Sequence, residues 1–359
     1  MIHATRSLVV AAAIVLASGC SGEMKGSASD GSKSASSSGV DLTGAGATFP
    51  NPVYTAWIHA YDSVAGVKIN YQSIGSGGGI RQMQEQTVDF GATDGPMTPD
   101  EMSKAKGGPI MHFPTVLGAD VIIYNVPSVT QPLKLTGPVI ADVYLGKITK
   151  WNDTRIATLN AGANLPASDI IVVRRSDGSG TTFIFTDYLS TVSPEWEKTV
   201  GRGKDVKWPV GIGAKGNEGV AGQVKQTPGS IGYTELAYAR QNKLQYAHVR
   251  NAAGRFIEPS IASTSAAAAA AKLPPDTDYR VSIVNAVGPD AYPIASFTWL
   301  LVYQNQPDAV KGRKLKEFMR WFYANGEKAA TALDYGPLPG NLSQRLIARL
   351  DSIQVGGTK

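Results

Sequence analysis

The sequence of 359 residues is poor in the side chains that most catalytic chemistry requires. Its only cysteine is Cys20, so no disulfide can form within the chain. Its four histidines are scattered, and no pair has metal-ligand spacing. The G-x-x-x-x-G-K-[ST] motif of P-loops and the G-x-S-x-G motif of serine hydrolases are also missing. We therefore expect no enzymatic activity, no cofactor and no metal; a secreted phosphatase is the enzyme-class alternative.

Charge is also sparse. Only 18% of the residues are charged and 43% are hydrophobic, which is typical of a globular body, and the formal net charge is +5. This mild positive bias favours the approach of a small anion. Basic residues form no tail and do not alternate with aromatic residues, so we expect no nucleic-acid partner.

Long apolar runs are absent beyond the N-terminus, so no later segment is expected to span a membrane. Residues 1–19 carry Arg6 and then a short apolar run, which is the pattern of a secretory signal peptide. Cys20 follows a Ser-Gly pair that resembles a bacterial lipobox, which predicts cleavage before Cys20 and its lipidation. The alternative is an ordinary secreted protein with an incidental cysteine.

The segment 20–40 is rich in serine and glycine and predicts a flexible linker between the lipid anchor and the body. The expected location is therefore extracytoplasmic (periplasmic) and membrane-anchored, in a bacterium.

The body alternates short apolar strands with segments of helical period, which predicts an α/β fold with largely parallel sheets. A late helix carries an apolar stripe that we assign to the core, made of Leu315, Phe318, Met319 and Phe322. The alanine-rich stretch Ser263–Pro275 predicts a surface helix and loop without chemistry. Gly211-x-Gly213-x-x-Gly216 fits a dinucleotide motif but lies in mid-chain, and we interpret it as a plain loop.

Three predicted helix starts are rich in glycine, serine and threonine, and free N–H groups with the helix dipole make such starts anion sites. They contain Thr48 and Phe49, Ser76 as the expected N-cap, and Ser179 with Gly180 and Thr181. Each alone is more typical of a plain helix cap. Three such helix starts in one chain indicate an anion-binding site.

Charged residues near two of these segments indicate which anion would bind. Arg174 and Arg175 alternate along a strand, so only one should face the ligand, and Asp177 is placed to orient the guanidinium of Arg175. Asp94 lies at another strand end, where it either forms a turn or faces the anion. A carboxylate repels an anion unless a proton lies between them, and this favours phosphate over sulfate.

Many segments, in order from about Leu42 to about Leu350, resemble the periplasmic phosphate-binding protein of the bacterial phosphate ABC transporter (the PstS family). They include "GAGATFPNPVY", "SIGSGGGIRQ", "VDFGATDGPM", "VVRRSDGSGTTFIFTDYL" and "GSIGYTELAYA". The resemblance implies a two-lobed (type II) periplasmic binding protein that closes over one phosphate. It also implies that the ligand residues are Thr48, Phe49, Ser76, Asp94, Arg175, Ser179, Gly180 and Thr181, with Asp177 behind Arg175.

The same resemblance implies a domain plan and a function. Lobe 1 would comprise residues 41–117 and 292–359, and lobe 2 residues 118–291, with hinge crossings near Leu117 and Tyr292. The protein would be a monomer that binds inorganic phosphate with high affinity and delivers it to a membrane permease driven by a cytoplasmic ATPase. The alternatives are a phosphate-binding surface protein in adhesion or sensing, or a broader oxyanion receptor of the sulfate type.

Overall fold

The structure, a computed structural model, describes residue 39, residues 41–269 and residues 271–356. The predicted signal peptide, Cys20 and almost all of the predicted linker lie outside these residues, so those predictions stay predictions. Among the described residues, no helix combines the length and the apolar character needed to cross a membrane.

Strands and helices alternate along the described chain. The strands are β1 (Leu42–Gly46), β2 (Ile69–Ser73), β3 (Phe90–Thr93), β4 (Ile110–Asn125), β5 (Lys134–Leu135), β6 (Ile171–Arg175), β7 (Ile212–Ala214), β8 (Ser230–Glu235), β9 (Gln245–Tyr246), β10 (His248–Arg250), β11 (Phe256–Ile257), β12 (Ala295–Tyr303), β13 (Asn305–Gln306) and β14 (Gln354–Val355). The helices are α1 (Asn51–Ala65), α2 (Ser76–Gln84), α3 (Pro99–Ser103), α4 (Gly137–Tyr144), α5 (Thr154–Ala157), α6 (Gly180–Val192), α7 (Pro194–Thr199), α8 (Gly216–Gln226), α9 (Leu236–Gln241), α10 (Ile261–Ala269), α11 (Ala309–Asn325), α12 (Glu327–Ala332) and α13 (Leu342–Arg349).

The main sheet has the strand order β2-β1-β3-β12-β4-β8-β6-β7, with β9 added on β4. Its two flanks are parallel: β1 pairs with β2 and β3, and β6 pairs with β7 and β8. Its centre is antiparallel, because β12 and β4 run against each other and against their outer neighbours β3 and β8. The prediction of a largely parallel sheet was therefore wrong for the centre, and the sheet is mixed.

Strand β4 connects the two halves of the sheet. It pairs with β12 from Ile110 to Ala119 and then with β8 from Asp120 to Asn125. Such a partner exchange within one long buried strand carries the chain from one half to the other, and the chain returns through β12. The lobe boundaries drawn from the sequence remain a proposal.

The apolar stripe of α11 packs in the core, as predicted. Leu315, Phe318, Met319 and Phe322 are at most 3% exposed, and the Phe322 ring stacks on Trp57 of α1 with centroids 4.7 Å apart. Helix α10 begins at Ile261 and packs one face on the core, while Ala262 and Ala269 are exposed. The buried residues of that face are Ser263, Thr264, Ala267 and Ala268.

Strand β1 ends at Gly46, where the chain turns into the segment that precedes α1. Gly46 has φ +149°, and a Cβ atom there would lie 2.1 Å from the backbone oxygen of Ala92. Its carbonyl oxygen accepts hydrogen bonds from the N–H groups of Ile74 and Gly75. Only glycine therefore allows the close approach of β1 and β3 that places the following residues.

We expect Gly46→Ala to lower the free energy of unfolding by about 3 kcal/mol or more, because the added methyl meets rigid backbone. Denaturant unfolding measures this loss. Gly66→Ala is the matched control, since Gly66 also has a positive φ but nothing within 4 Å of its hypothetical Cβ. The control should lose only about 1–2 kcal/mol. Equal losses in the two variants would contradict the packing argument.

Candidate functional site

The residues predicted as ligands all lie at strand ends or helix starts, and all are buried. They come from the loop after β1, the first turn of α2, the end of β3, the end of β6 and the start of α6: Thr48, Phe49, Ser76, Asp94, Arg175, Ser179, Gly180 and Thr181. The side chains among them are at most 3% exposed.

The Ser76 hydroxyl joins three of these elements. It accepts hydrogen bonds from the N–H of Gly180 at 3.0 Å and from the N–H of Asp94 at 3.3 Å, and it donates to Asp94 Oδ2 at 3.4 Å. Ser76 is the first residue of α2, however, and not its N-cap. The cap is Gly75, with φ +87°, and a Cβ there would lie 2.3 Å from an Asp177 oxygen. The N-cap prediction was wrong because this approach requires glycine.

Asp94 is a carboxyl group that can hold a proton near neutral pH. Its Oδ1 accepts a hydrogen bond from the Thr298 hydroxyl at 2.8 Å. Burial raises its pKa to about 7, against the opposing effects of the Thr298 hydrogen bond and the Arg175 charge. The side chain does not merely form a turn; it faces Ser76 and the start of α6.

Arg175 and Asp177 form a buried bidentate ion pair. Arg175 Nε donates to Asp177 Oδ1 at 2.8 Å, Nη2 donates to Oδ2 at 2.5 Å, and Nη1 donates to the Thr181 hydroxyl at 3.3 Å. Burial by itself lowers the pKa of the guanidinium, but the hydrogen bonds and charge of Asp177 outweigh it and raise that pKa. The neighbouring Arg174 donates to the Arg175 carbonyl and lies beside Gly213, away from this pair.

The positive N-terminal end of helix α6 lies next to Ser76 and Asp94. Ser179 is its N-cap, and the Ser179 hydroxyl accepts from the N–H of Thr182 at 3.0 Å. The next N–H, that of Gly180, is directed at Ser76. A Cβ on Gly180 would lie 2.6 Å from Asp94 and from the Ser76 hydroxyl oxygen. The glycine therefore lets the helix terminus approach both side chains.

Three tyrosines that the sequence did not reveal fix the segment between β1 and α1; Tyr238 and Tyr335 are buried, and Tyr71 is partly buried. Their hydroxyls donate to three successive backbone carbonyls at 2.6–2.7 Å: Tyr71 to Ala47, Tyr238 to Thr48, and Tyr335 to Phe49. The tyrosines lie 24, 190 and 286 residues from their partners, so no local spacing could indicate them. Their hydrogen bonds hold the carbonyls in place, so the backbone of Thr48 and Phe49 has a defined orientation.

Asn217 is a further site residue that sequence reasoning missed. It is fully buried at the start of α8, and its amide donates to the hydroxyls of Thr48 at 2.7 Å and Thr181 at 3.0 Å. The glycine motif before it was interpreted as a plain loop, and this was wrong. It runs from β7 into α8, and the N–H of Gly216 donates to Asp177 Oδ1 at 3.1 Å. That strand-to-helix setting was the available signal.

The chain is similar to proteins of known family. A family model described as "PBP superfamily domain" matches residues 31–325. The phosphate-binding protein PstS of Pasteurella multocida is 47% identical over 309 residues, which cover 86% of this chain and 89% of the relative. PstS of Xylella fastidiosa is also 47% identical, over 86% of this chain and 84% of the relative.

Solved structures agree at the level of the fold. A phosphate-binding protein from Stenotrophomonas maltophilia superposes with a TM-score of 0.68 and 20% identity, covering 86% of this chain and 93% of that one. The predicted two-lobed α/β periplasmic-binding-protein fold and the family resemblance are thereby confirmed. The chain belongs to the PBP superfamily and, within it, to the PstS family of phosphate-binding proteins.

Proposed function

We propose that this protein binds one inorganic phosphate ion between its two lobes and delivers it to an ABC permease for import. One observation carries the proposal: hydroxyl, backbone N–H and guanidinium donors from the starts of α2 and α6 and the end of β6 lie together with one buried carboxyl, Asp94. Most of these groups offer hydrogen atoms, as an anion requires. Asp94 offers an acceptor, as a protonated oxyanion requires. The relatives named phosphate-binding proteins support the same ligand.

The proposed ligand residues divide by role. Hydrogen atoms would come from the hydroxyls of Thr48, Ser179 and Thr181, from the N–H of Phe49 and from Arg175. The Ser76 hydroxyl and the Gly180 N–H, which donate to protein groups in this structure, would turn to the ligand when it binds. Asp177 would hold Arg175 in position, and charge-assisted hydrogen bonds of this kind are the strong ones. About a dozen hydrogen bonds, several of them charge-assisted, would support micromolar or tighter affinity, since 1 μM corresponds to about −8 kcal/mol.

Asp94 would act as the filter between phosphate and sulfate. Hydrogen phosphate carries a proton that it can donate to the carboxylate, whereas sulfate carries none near neutral pH. Sulfate would thus leave a buried acceptor opposite a negative oxygen, at a cost of several kcal/mol. For this reason we prefer a phosphate receptor over a receptor for a broader range of oxyanions.

The site is proposed to bind its ligand without reacting with it. The residues assigned to it include no histidine, cysteine or lysine that would serve as a base or nucleophile, and the relatives are named as binding proteins. Delivery to a permease with a cytoplasmic ATPase, a monomeric state, an extracytoplasmic location and a lipid anchor at Cys20 complete the proposal. A role in adhesion or sensing would be a separate property, and a deletion strain that loses adhesion but keeps phosphate uptake would reveal it.

Calorimetric titration tests the function directly, with the purified protein stripped of phosphate by unfolding and refolding. We expect tight one-to-one binding of phosphate and no heat with sulfate. Comparable binding of both anions would replace the proposal by the broader oxyanion receptor. Absence of binding to either anion would refute it.

We expect Arg175→Ala to weaken phosphate binding at least about tenfold, because the loss of one charge-assisted contact exceeds the ~1.4 kcal/mol that corresponds to a factor of ten. The titration above measures it. Arg174→Ala is the matched control, since the neighbouring guanidinium lies away from the ion pair. Near-native affinity of Arg175→Ala would remove Arg175 from the site.

We expect Asp94→Asn to relax the rejection of sulfate, because the amide can donate a hydrogen where the carboxylate only accepts. Competition between sulfate and bound phosphate measures the selectivity ratio. A ratio equal to that of the wild type would show that Asp94 is not the filter.

The raised pKa of Asp94 also predicts how stability depends on pH when phosphate is absent. Between about pH 4 and about pH 7 the folded protein retains a proton on Asp94 that the unfolded chain has released. The contribution of Asp94 to the free energy of unfolding therefore falls as pH rises through this window. Asp94→Asn does not titrate, so its stability relative to wild type should rise with pH in denaturant unfolding. A pH-independent difference would contradict the shift.

A further inference from the structure

Asn217 occupies a position that controls two of the proposed ligand hydroxyls. Its Nδ2 donates to Thr48 Oγ1 at 2.7 Å and to Thr181 Oγ1 at 3.0 Å, and its backbone N–H donates to Thr48 Oγ1 at 3.1 Å. The side chain is fully buried. One amide therefore joins the segment before α1 to the start of α6.

The orientation of this amide is fixed by its other end. Asn217 Oδ1 accepts hydrogen bonds from the backbone N–H of Glu235 at 2.9 Å and from the Thr234 hydroxyl at 2.9 Å. A backbone N–H can only donate, so the atom facing it must be the amide oxygen. The NH₂ group must then face the two threonines.

This orientation determines where the threonine hydrogens go. A hydroxyl has one hydrogen to donate and two lone pairs that accept. Thr48 Oγ1 accepts twice from Asn217, and Thr181 Oγ1 accepts from Asn217 and from Arg175 Nη1. Both lone pairs of each oxygen are thus engaged, and among the described residues neither hydroxyl donates to a protein acceptor. Each hydrogen is left for a ligand.

We propose that Asn217 is a positioning residue that sets specificity by making the Thr48 and Thr181 hydroxyls obligate donors, so that neither competes with Asp94 as an acceptor for the anion. The inference rests on the proposed binding of phosphate. A free hydroxyl could rotate and accept a hydrogen from the ligand. Held by Asn217, the two threonines accept none, and this favours an oxyanion with one protonated oxygen over one with two. The Ser76 hydroxyl differs, because it already donates to Asp94.

Other charged and titratable groups surround this cluster from each packed element. They are Asp94 after β3, Asp120 on β4, Arg175 and Asp177 at the end of β6, Glu218 on α8, Glu235 on β8 and Tyr238 on α9. They are the same in every variant below, so a difference between variants reports on residue 217.

The test compares phosphate affinity at about pH 5, where the ligand carries two protons, with that at about pH 8, where it carries one. The variants are Asn217→Leu and Asn217→Ala, which remove the amide without adding a titratable group. In both, the threonine hydroxyls can turn and accept a second ligand hydrogen. We expect binding at about pH 8 to weaken at least about tenfold, and the ratio of affinity at pH 5 to that at pH 8 to rise at least about tenfold.

Asn251→Leu is the matched control. Asn251 is also buried, with its amide donating to backbone carbonyls and its oxygen accepting two backbone N–H groups, but its partners are Gly288, Pro289, Ala291, Ala253 and Arg255, none of them a proposed ligand residue. It should leave the affinity ratio unchanged.

The outcomes separate the two proposals. If wild-type protein binds no phosphate, the proposed function fails. If it binds phosphate and the Asn217 variants weaken binding equally at both pH values, Asn217 has only a structural role and this inference is overturned. Native affinity in either variant overturns it as well. Circular dichroism and thermal unfolding establish that each variant is folded.

Discussion

The buried ion pair of Arg175 and Asp177 is the interaction on which the rest of the site depends. A guanidinium at 3% exposure is stable only if a counter-charge satisfies it, and Asp177 does so with two hydrogen bonds. The pair in turn constrains the residues that contact Asp177. Gly75 must lack a side chain because Asp177 lies against it, and the N–H of Gly216 completes the shell of Asp177. The starts of α2 and α8 are thereby fixed by one pair at the end of β6.

Burial explains why Asp94 can carry a proton. The Arg175 charge lowers the pKa of Asp94, but the effect of burial is larger and raises it. The site thus combines one compensated cation with one carboxyl that titrates near neutrality. If an anion binds here as proposed, directed hydrogen bonds rather than excess positive charge would hold it, and such bonds can discriminate between oxyanions of similar size.

The fold class, the core stripe of α11 and the segments that meet at the site could be predicted from the sequence, because each depends on a pattern of residues that are close together in the chain. Helix starts, strand ends and the spacing of Arg175 and Asp177 are properties of a few neighbouring residues. The missed residues act over long separations. Tyr238 and Tyr335 reach the carbonyls of Thr48 and Phe49 from 190 and 286 residues away, and Asn217 meets Thr48 across 169. The antiparallel centre of the sheet was missed for the same reason, since β4 and β12 pair across a long stretch of chain.

On the proposed lobe division, the hydroxyls that would bind the anion are also the groups that join the lobes. Ser76 accepts from Gly180, and Thr48 accepts from Asn217, in each case across the division. Contacts such as that between Gly77 N–H and the Gly178 carbonyl join the lobes without touching the ligand groups. Ser76 and Thr48 take part both in the contacts between the lobes and in the proposed binding of the anion. The free energy of lobe closure and that of anion binding are therefore coupled. A partner that opened the lobes would break hydrogen bonds made by the same hydroxyls that are proposed to bind the ligand, and this would couple opening to release.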